Sequence, residues 1–114
     1  MKTMYVTKLL KGKVKQLGSP DAKDRMNRQW ETGIFKYPTD EKTWLSETGL
    51  VGDEVADKRN HGGPEKALFA YPTKHYAYWN KELDHTTMED GGMGENMVIH
   101  DADEYSVCIG DTFR

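Results

Sequence analysis

The sequence predicts a mainly β (α+β) domain, a partly closed β-barrel with one amphipathic helix near residues 74–83. Short apolar segments rich in β-branched and aromatic residues recur along the chain, and glycine, proline or aspartate separates them. Helical periodicity is clear only at 74–83, where Tyr76, Trp79 and Leu83 fall on one helical face. The length of 114 residues fits a single domain, which we assign to residues 1–114.

The strands are predicted at 4–10, 13–17, 32–37, 43–45, 66–71, 97–99 and 105–109, and a last one begins at 112. The second strand is expected to pair back on the first. The third is expected to form a hairpin with the fourth and to lead into Gly49. Thr73 is the expected N-cap of the helix, with its hydroxyl oxygen accepting from an orphan amide.

The composition excludes several classes of function. A net charge of −3 and a pI near 5.8 argue against sequence-independent binding of nucleic acid. No apolar segment reaches transmembrane length, and no signal peptide is visible at the start. Cys108 is the single cysteine, so no intrachain disulfide can form and a cytoplasmic location is expected. Cys108 itself is expected to be a buried apolar residue of a strand.

The charges are unevenly distributed. Residues 1–15 contain five lysines and no acid, whereas residues 82–114 contain nine acids, one arginine and no lysine. Two interpretations stay open. The two regions are solvated faces that attract one another, or the basic region steers anions toward a site.

Two glycine-rich segments predict a pocket for an anionic or polar ligand. Residues 49–66 bring Asp53, His61 and the amides of two adjacent glycines, while residues 91–96 end in two side chains that can bond a ligand. Consecutive glycines can direct successive N–H groups inward as an anion-binding nest. Lys66 and Arg59 can add positive charge for a phosphate, and Asn96 can read the edge of a heterocycle.

Other types of site lack support in the sequence. The four histidines and the cysteine do not have the spacing of a structural zinc site, so no metal ligand is assigned. Neither a phosphate loop nor a dinucleotide fingerprint is present. No nucleophile elbow is found either, and the catalytic residues stay unknown.

From about residue 8 to residue 114, the chain resembles the MOSC domains, the C-terminal domains of molybdenum cofactor sulfurases. It is most similar to the stand-alone bacterial branch that confers resistance to N-hydroxylated base analogues. The matching motifs, in order, are TGIFK at 32–36, GLVGDE at 49–54, AD at 56–57, HGGPEKA at 61–67, YP at 71–72, HYAYW at 75–79, GEN at 94–96 and IGDTF at 109–113.

The resemblance implies a barrel-like fold that binds the molybdenum cofactor (molybdopterin). It also implies a parent activity, the reduction of small N-hydroxylated compounds with electrons from a flavoprotein reductase. The positions that match the family motifs are candidate cofactor-binding residues: Lys36, Asp53, His61, Gly62, Gly63, Lys66, Glu95 and Asn96.

One element of the family pattern is absent from this sequence. Members carry a cysteine in a Pro-Cys context downstream of the IGDTF motif, as the presumed ligand of molybdenum or sulfur. Cys108 precedes that motif and does not match it. We therefore expect an N-terminal portion of the domain, truncated at its C-terminal end, or a homodimer in which two copies complete each other's sheet through an open strand edge.

Whether the chain is itself an enzyme is open at this point, because the expected ligand cysteine is missing. Two other functions compete with reduction of N-hydroxylated compounds. One is a non-catalytic binding or carrier module for molybdopterin or another phosphate-bearing ligand. The other is an interaction domain whose glycine-rich loops are purely structural.

Overall fold

A computed structural model describes residues 3–113 of the chain. Within them lie the strands β1 (Tyr5–Lys11), β2 (Lys15–Leu17), β3 (Trp30–Thr32), β4 (Tyr37–Pro38), β5 (Leu45–Ser46), β6 (Gly49–Leu50), β7 (Ala70–Pro72) and β8 (Met97–His100). The helices are α1 (Lys58–His61) and α2 (Lys74–Glu82), with 3₁₀ turns at Arg25–Asn27 and Pro64–Lys66.

The centre of the fold is an open four-stranded sheet in the order β4-β1-β8-β7. Strand β1 is antiparallel to β4 and β8, and β7 runs parallel to β8. The most deeply buried apolar side chains belong to the two central strands, where Leu10 and Val98 are both 0% exposed. The mainly β, α+β class is confirmed. Among residues 3–113, β4 and β7 stay at opposite edges, and the sheet does not close into a barrel.

Two hairpins lie outside this sheet, and both correct the predicted pairing. Strand β2 pairs with β3 rather than back on β1, and β5 pairs with β6 rather than with residues 32–37. The strand predicted at 32–37 is interrupted between β3 and β4. The backbone there approaches another loop, since a Cβ on Gly33 would lie 2.5 Å from the Glu54 carbonyl oxygen.

The prediction at 66–71 was also partly wrong, because Pro64–Lys66 form a 3₁₀ turn and the strand begins only at Ala70. No strand forms at 105–109, where Asp103 Oδ1 accepts from the backbone of Tyr105 and Ser106 and holds a turn. Cys108 is exposed rather than buried. Residues 112–113 are not in a strand, and residue 114 lies outside the described residues.

The predicted helix is confirmed as α2, one residue shorter than expected at its C-terminal end. Tyr76 is its buried residue, at 5% exposed. Thr73 occupies the N-cap position, but its side chain does not cap the helix. Its hydroxyl donates instead to Asp90 Oδ1 at 3.0 Å. In the described part of the chain, no helix combines the length and apolar character needed to cross a bilayer.

The uneven charge has one direct structural consequence. Lys8, in the basic region, forms an ion pair of 3.1 Å with Asp90 in the acidic region. This contact agrees with the interpretation that the two regions attract one another. At this partly exposed position the pair contributes little to stability, roughly 0–1 kcal/mol.

Candidate functional site

An open cleft of about 1,340 Å³ contains residues from both glycine-rich segments. Most residues of the segments 31–36, 48–58, 61–69 and 93–96 line it, together with Val14. The cleft brings together all but one of the predicted cofactor-binding residues: Lys36, Asp53, His61, Gly62, Gly63, Lys66 and Asn96. Glu95 is not among the lining residues. Their role in binding a cofactor stays a prediction.

The floor of the cleft contains a buried ion pair. Lys36 Nζ lies 2.7 Å from Asp53 Oδ1, and the two side chains are only 6% and 7% exposed. Lys36 Nζ also donates to the Glu54 carbonyl oxygen at 3.1 Å. Asp53 Oδ1 accepts a second hydrogen bond, from the backbone N–H of Gly12 at 2.8 Å. This pairing explains how a lysine and an aspartate can both be nearly buried.

Asn96 joins this ion pair to the central sheet. Its Nδ2 donates to Asp53 Oδ2 at 2.9 Å and to the Leu10 carbonyl oxygen at 3.2 Å. Its Oδ1 accepts from the backbone N–H of Phe69 at 3.1 Å. Both N–H groups of the amide are therefore already paired within the protein, and the side chain is almost entirely buried.

Glu95 points away from the cleft, into the interior. It is 0% exposed. Its Oε2 accepts a hydrogen bond from the Tyr76 hydroxyl, and its Oε1 accepts from the Met93 backbone N–H at 3.2 Å. Burial, and then the hydrogen bond to Glu95, raise the pKa of Tyr76 well above its usual range. Glu95 thus ties the second glycine-rich turn to α2.

One wall of the cleft is built from α1 and the turn that follows it. Asp57 caps the helix, with its carboxylate accepting from the Asn60 backbone N–H at 3.1 Å and from Asn60 Nδ2 at 2.9 Å. These hydrogen bonds, the side-chain one first, lower the pKa of Asp57. The ammonium of Lys66 donates to the Asn60 carbonyl oxygen and so closes the turn back on the helix. The basic residues Lys58 and His61 of α1 line the cleft with Lys66.

The two positions after α1 favour glycine for different structural reasons. A Cβ on Gly62 would lie 2.8 Å from the Lys58 carbonyl oxygen, so only glycine fits without a shift. Gly63 has a φ of 94°, which disfavours other residues, and a Cβ there would meet nothing within 4 Å. The backbone of Gly63 is therefore open to approach from the cleft.

Acidic residues also line the cleft, but several are already paired. Asp53 is neutralised by Lys36, and Asp57 caps α1. Glu54 Oε1 accepts from the Val14 backbone N–H at 2.8 Å, and Glu31 Oε1 accepts from Gln16 Nε2 at 3.2 Å. Glu65 lines the cleft as well, so the cleft contains charges of both signs. Among residues 3–113, no acid forms an ion pair within 4 Å with Lys58, His61 or Lys66.

The donor set fits the phosphate end of a pterin cofactor better than its metal. Ammonium and imidazole groups suit a phosphate, and Gly63 leaves room beside them. Among residues 3–113, no three His, Cys, Asp or Glu side chains are grouped so that they could hold a metal ion. Cys108 is not a lining residue of the cleft. These residues accordingly match a phosphate group and do not include a thiolate for a metal.

Sequence reasoning missed several residues of the site. Gly12 is not among the residues singled out in the sequence, yet a Cβ there would lie 2.0 Å from the Phe35 carbonyl oxygen. Its N–H also donates to Asp53 Oδ1 at 2.8 Å. Tyr76 was assigned to an apolar helix face, and its bond to Glu95 had no signal in the sequence. The apolar lining residues Ile34 and Phe69 were not singled out either.

Similarity to known proteins covers much of the chain. The family profile described as MOSC domain matches residues 57–114. The uncharacterized protein YflK of Bacillus subtilis is 39% identical over 98 residues, 86% of this chain and 44% of that protein. The protein YiiM of Escherichia coli is 40% identical over 85 residues, 73% of this chain and 38% of that protein.

The chain is also similar to a fungal protein and to a solved bacterial structure. A protein named Reductase from Gibberella moniliformis is 35% identical over 85 residues, 73% of this chain and 15% of that protein. The crystal structure of YiiM from Geobacillus stearothermophilus superposes with a TM-score of 0.62 at 25% identity, over 96% of this chain and 44% of that one. The chain therefore spans less than half the length of each of these relatives.

Proposed function

The chain belongs to the MOSC domain family, and we propose that its open cleft binds the molybdenum cofactor through the pterin phosphate. One observation carries the proposal. In a chain of this family, Lys58, His61 and Lys66 line one wall of a cleft large enough for a cofactor. A phosphate there would receive charge-assisted hydrogen bonds.

When bound, the cofactor would supply the redox chemistry, and we propose that the parent activity is reduction of a small N-hydroxylated compound, with loss of the N–OH oxygen as water. The protein's own residues would bind and orient. Lys58, His61 and Lys66 would hold the phosphate, while the apolar side chains of Ile34 and Phe69 would pack against a planar base. The name Reductase of the fungal relative supports an oxidoreductase. We propose a flavoprotein reductase as the electron donor.

A second candidate function is a non-catalytic module that binds or carries molybdopterin or another phosphate-bearing ligand. The observation that favours it is the position of Cys108, which is exposed and outside the cleft lining. Within residues 3–113 the cleft therefore offers basic groups for a phosphate but no thiolate for a metal.

The first experiment measures cofactor binding. The 114-residue protein is mixed with molybdenum cofactor released from a donor molybdoenzyme, and the pterin that co-elutes is quantified by fluorescence after oxidation. We expect Lys66→Ala to weaken binding about 10- to 150-fold, because a charge-assisted hydrogen bond contributes about 1.5–3 kcal/mol. His61→Ala should weaken binding in the same direction.

Lys23→Ala and Lys42→Ala serve as matched controls, because both lysines are exposed and neither lines the cleft. They should bind pterin like the unmodified protein. Equal losses in all four variants, or no pterin bound by the unmodified protein, would contradict the proposal. Reduction of an N-hydroxylated purine by the loaded protein, with a reduced viologen as donor, then separates the candidates: turnover supports the reductase, and binding without turnover supports the module.

A further inference from the structure

Four separate segments of the chain meet at the carboxylate of Asp53. They are the end of β1 with Gly12, the residues before β4 with Lys36, the loop after β6 with Asp53 itself, and the residues before β8 with Asn96. The last of these lies 43 positions along the chain from Asp53. The junction forms the floor of the cleft, and its side chains are almost fully buried.

The hydrogen-bonding capacity of Asp53 and Asn96 is largely used inside the protein. Asn96 donates both N–H groups, to Asp53 and to Leu10, and accepts from Phe69. Asp53 accepts from Gly12 and Lys36 at one oxygen and from Asn96 at the other. A carboxylate offers about four acceptor positions, so three of them are occupied. A ligand oxygen that accepts from Asn96 would have to replace its bond to Leu10 or its bond to Asp53.

Unlike Asp53 and Asn96, Lys36 has a donor that is not used inside the protein. Its ammonium carries three donors, of which one goes to Asp53 Oδ1 and one to the Glu54 carbonyl oxygen. The third has no acceptor among residues 3–113, and Lys36 lines the cleft. The group able to donate into the cleft from this junction is therefore the ammonium.

We propose that Asp53 and Asn96 are positioning residues, which hold the Lys36 ammonium at the floor of the cleft with one N–H available to an oxygen of the ligand, and do not bind the ligand themselves. The ligand class is an oxyanion, such as a phosphate. The part of this proposal that concerns a ligand rests on the proposed function, whereas the positioning of Lys36 does not.

Lys36 is held in place by a series of hydrogen bonds that begins in the central sheet. Asn96 is fixed by β1 and by the residue before β7, Asp53 is fixed by Asn96 and Gly12, and Lys36 is fixed by Asp53. In a poorly hydrated site such linked polar bonds reinforce one another. A flexible lysine side chain is thereby held in one arrangement before a ligand arrives, which lowers the entropic cost of binding.

The decisive measurement needs no variant of Asp53 or Asn96. In protein labelled with ¹⁵N and ¹³C, the Lys36 ammonium should give a slowly exchanging NMR signal, identified by its loss in Lys36→Arg. That signal should show a coupling across the hydrogen bond to the carboxylate carbon of Asp53. A sharp Lys36 signal that lacks this coupling would overturn the proposal, and no outcome here depends on the cofactor.

Variants then separate positioning from ligand contact, with inorganic pyrophosphate as the probe. Asp53→Asn and Asn96→Ala should each abolish or broaden the Lys36 signal and weaken pyrophosphate binding about tenfold, the size expected for one charge-assisted hydrogen bond. Asp90→Asn is the matched control, because it removes the carboxylate charge from the Lys8–Asp90 ion pair, which lies outside the cleft. It should leave both the signal and the binding unchanged.

Two results would overturn the proposal. In the first, Asn96→Ala or Asp53→Asn weakens pyrophosphate binding while the Lys36 signal stays as it was, because those residues would then be ligand contacts. In the second, the unmodified protein leaves the Lys36 signal unmoved when pyrophosphate binds. If pterin binding fails while the Lys36 signal depends on Asp53 and Asn96, the positioning stands and only the proposed function falls.

Discussion

Glu95 is a fully buried carboxylate whose hydrogen bonds come from neutral groups. The Tyr76 hydroxyl and the Met93 backbone N–H are its donors, and among residues 3–113 no lysine, arginine or histidine pairs with it. A buried acid without a cationic partner depends strongly on each neutral donor, because an unmade hydrogen bond there costs its full desolvation. Tyr76 is therefore important for stability in a way that its apolar helix position does not indicate.

We predict that Tyr76→Phe lowers the free energy of unfolding by about 1–3 kcal/mol, the cost of leaving a buried acceptor unpaired. Urea denaturation followed by circular dichroism measures it. Tyr78→Phe is the control, since Tyr78 belongs to the same helix and is 61% exposed. It should change the free energy by less than about 0.5 kcal/mol. Equal effects of the two substitutions would show that the bond to Glu95 contributes nothing.

Because the pKa of Tyr76 is raised, the free energy of unfolding should fall at high pH. The folded protein holds the proton on the phenol while the unfolded chain releases it near the ordinary tyrosine pKa of about 10. Stability from this group is thus fully present below about pH 10 and is lost as the pH rises above it. We expect the free energy of unfolding to fall more steeply between pH 9.5 and 11 in the unmodified protein than in Tyr76→Phe. Parallel curves would contradict this.

Among the elements of the site, helix α1 depends most on contacts made at its two ends. Four residues cannot form a stable helix in isolation. Its N-cap, Asp57, accepts two hydrogen bonds from Asn60, and the Lys66 ammonium donates to the Asn60 carbonyl oxygen at its far end. The wall that carries His61 therefore depends on a capping side chain that does not itself need to touch a ligand.

We predict that Asp57→Ala opens α1, and that hydrogen exchange at the Asn60 amide becomes faster as a result. Asp84→Ala, an exposed aspartate outside the cleft lining, should leave that exchange rate unchanged. Because the pKa of Asp57 is lowered in the folded protein, the cap is fully effective above about pH 4, the ordinary aspartate value, and is lost as the pH falls through the lowered pKa. An Asn60 protection factor, the exchange rate relative to that of an unstructured peptide at the same pH, that is unchanged by Asp57→Ala would refute the role of the cap.

The elements differ in how well local sequence predicts them. Strand β1, strand β8 and helix α2 were predicted with bounds close to the observed ones, because their apolar pattern is local. The pairing of the hairpins was predicted wrongly. Which strand a two- or three-residue segment joins depends on the other segments that reach it, and its own sequence contains little of that information.

At the scale of the whole molecule, the chain exposes more surface than its size requires. Its accessible area is 9,295 Å², whereas a compact protein of 13.1 kDa exposes about 6,400 Å². The radius of gyration is 16.0 Å, against about 13 Å for a compact domain of this length. Large apolar side chains contribute to this area, among them Trp44 at 76% and Tyr105 at 96% exposed.

The homodimer stays a prediction, and the exposed surface of the chain bears on it. The excess area exceeds the roughly 800 Å² per partner that a standard interface buries. The edge strands β4 and β7 each contain a proline, Pro38 and Pro72, which cannot donate to a neighbouring strand. We therefore expect exposed apolar side chains to contribute to self-association alongside the edges.

Sedimentation velocity over a hundredfold range of protein concentration tests this expectation. A sedimentation coefficient that rises with concentration toward that of a dimer would support it, and Trp44→Ser should then shift the transition to higher concentration. Asp84→Ala again serves as the control. A monomer at every concentration would contradict the homodimer.

Local sequence was enough to predict the fold class, helix α2, the two glycine-rich loops and the family. These features depend on local periodicity, on backbone positions that only glycine can occupy and on motifs that follow one another in order. The contacts of the site residues depend instead on tertiary packing: Asn96 donates to Asp53 across 43 positions, while Glu95 accepts from Tyr76 away from the cleft. The physical reason is that a buried polar side chain bonds whichever group packing brings within about 3 Å of it, and no local pattern encodes that neighbour.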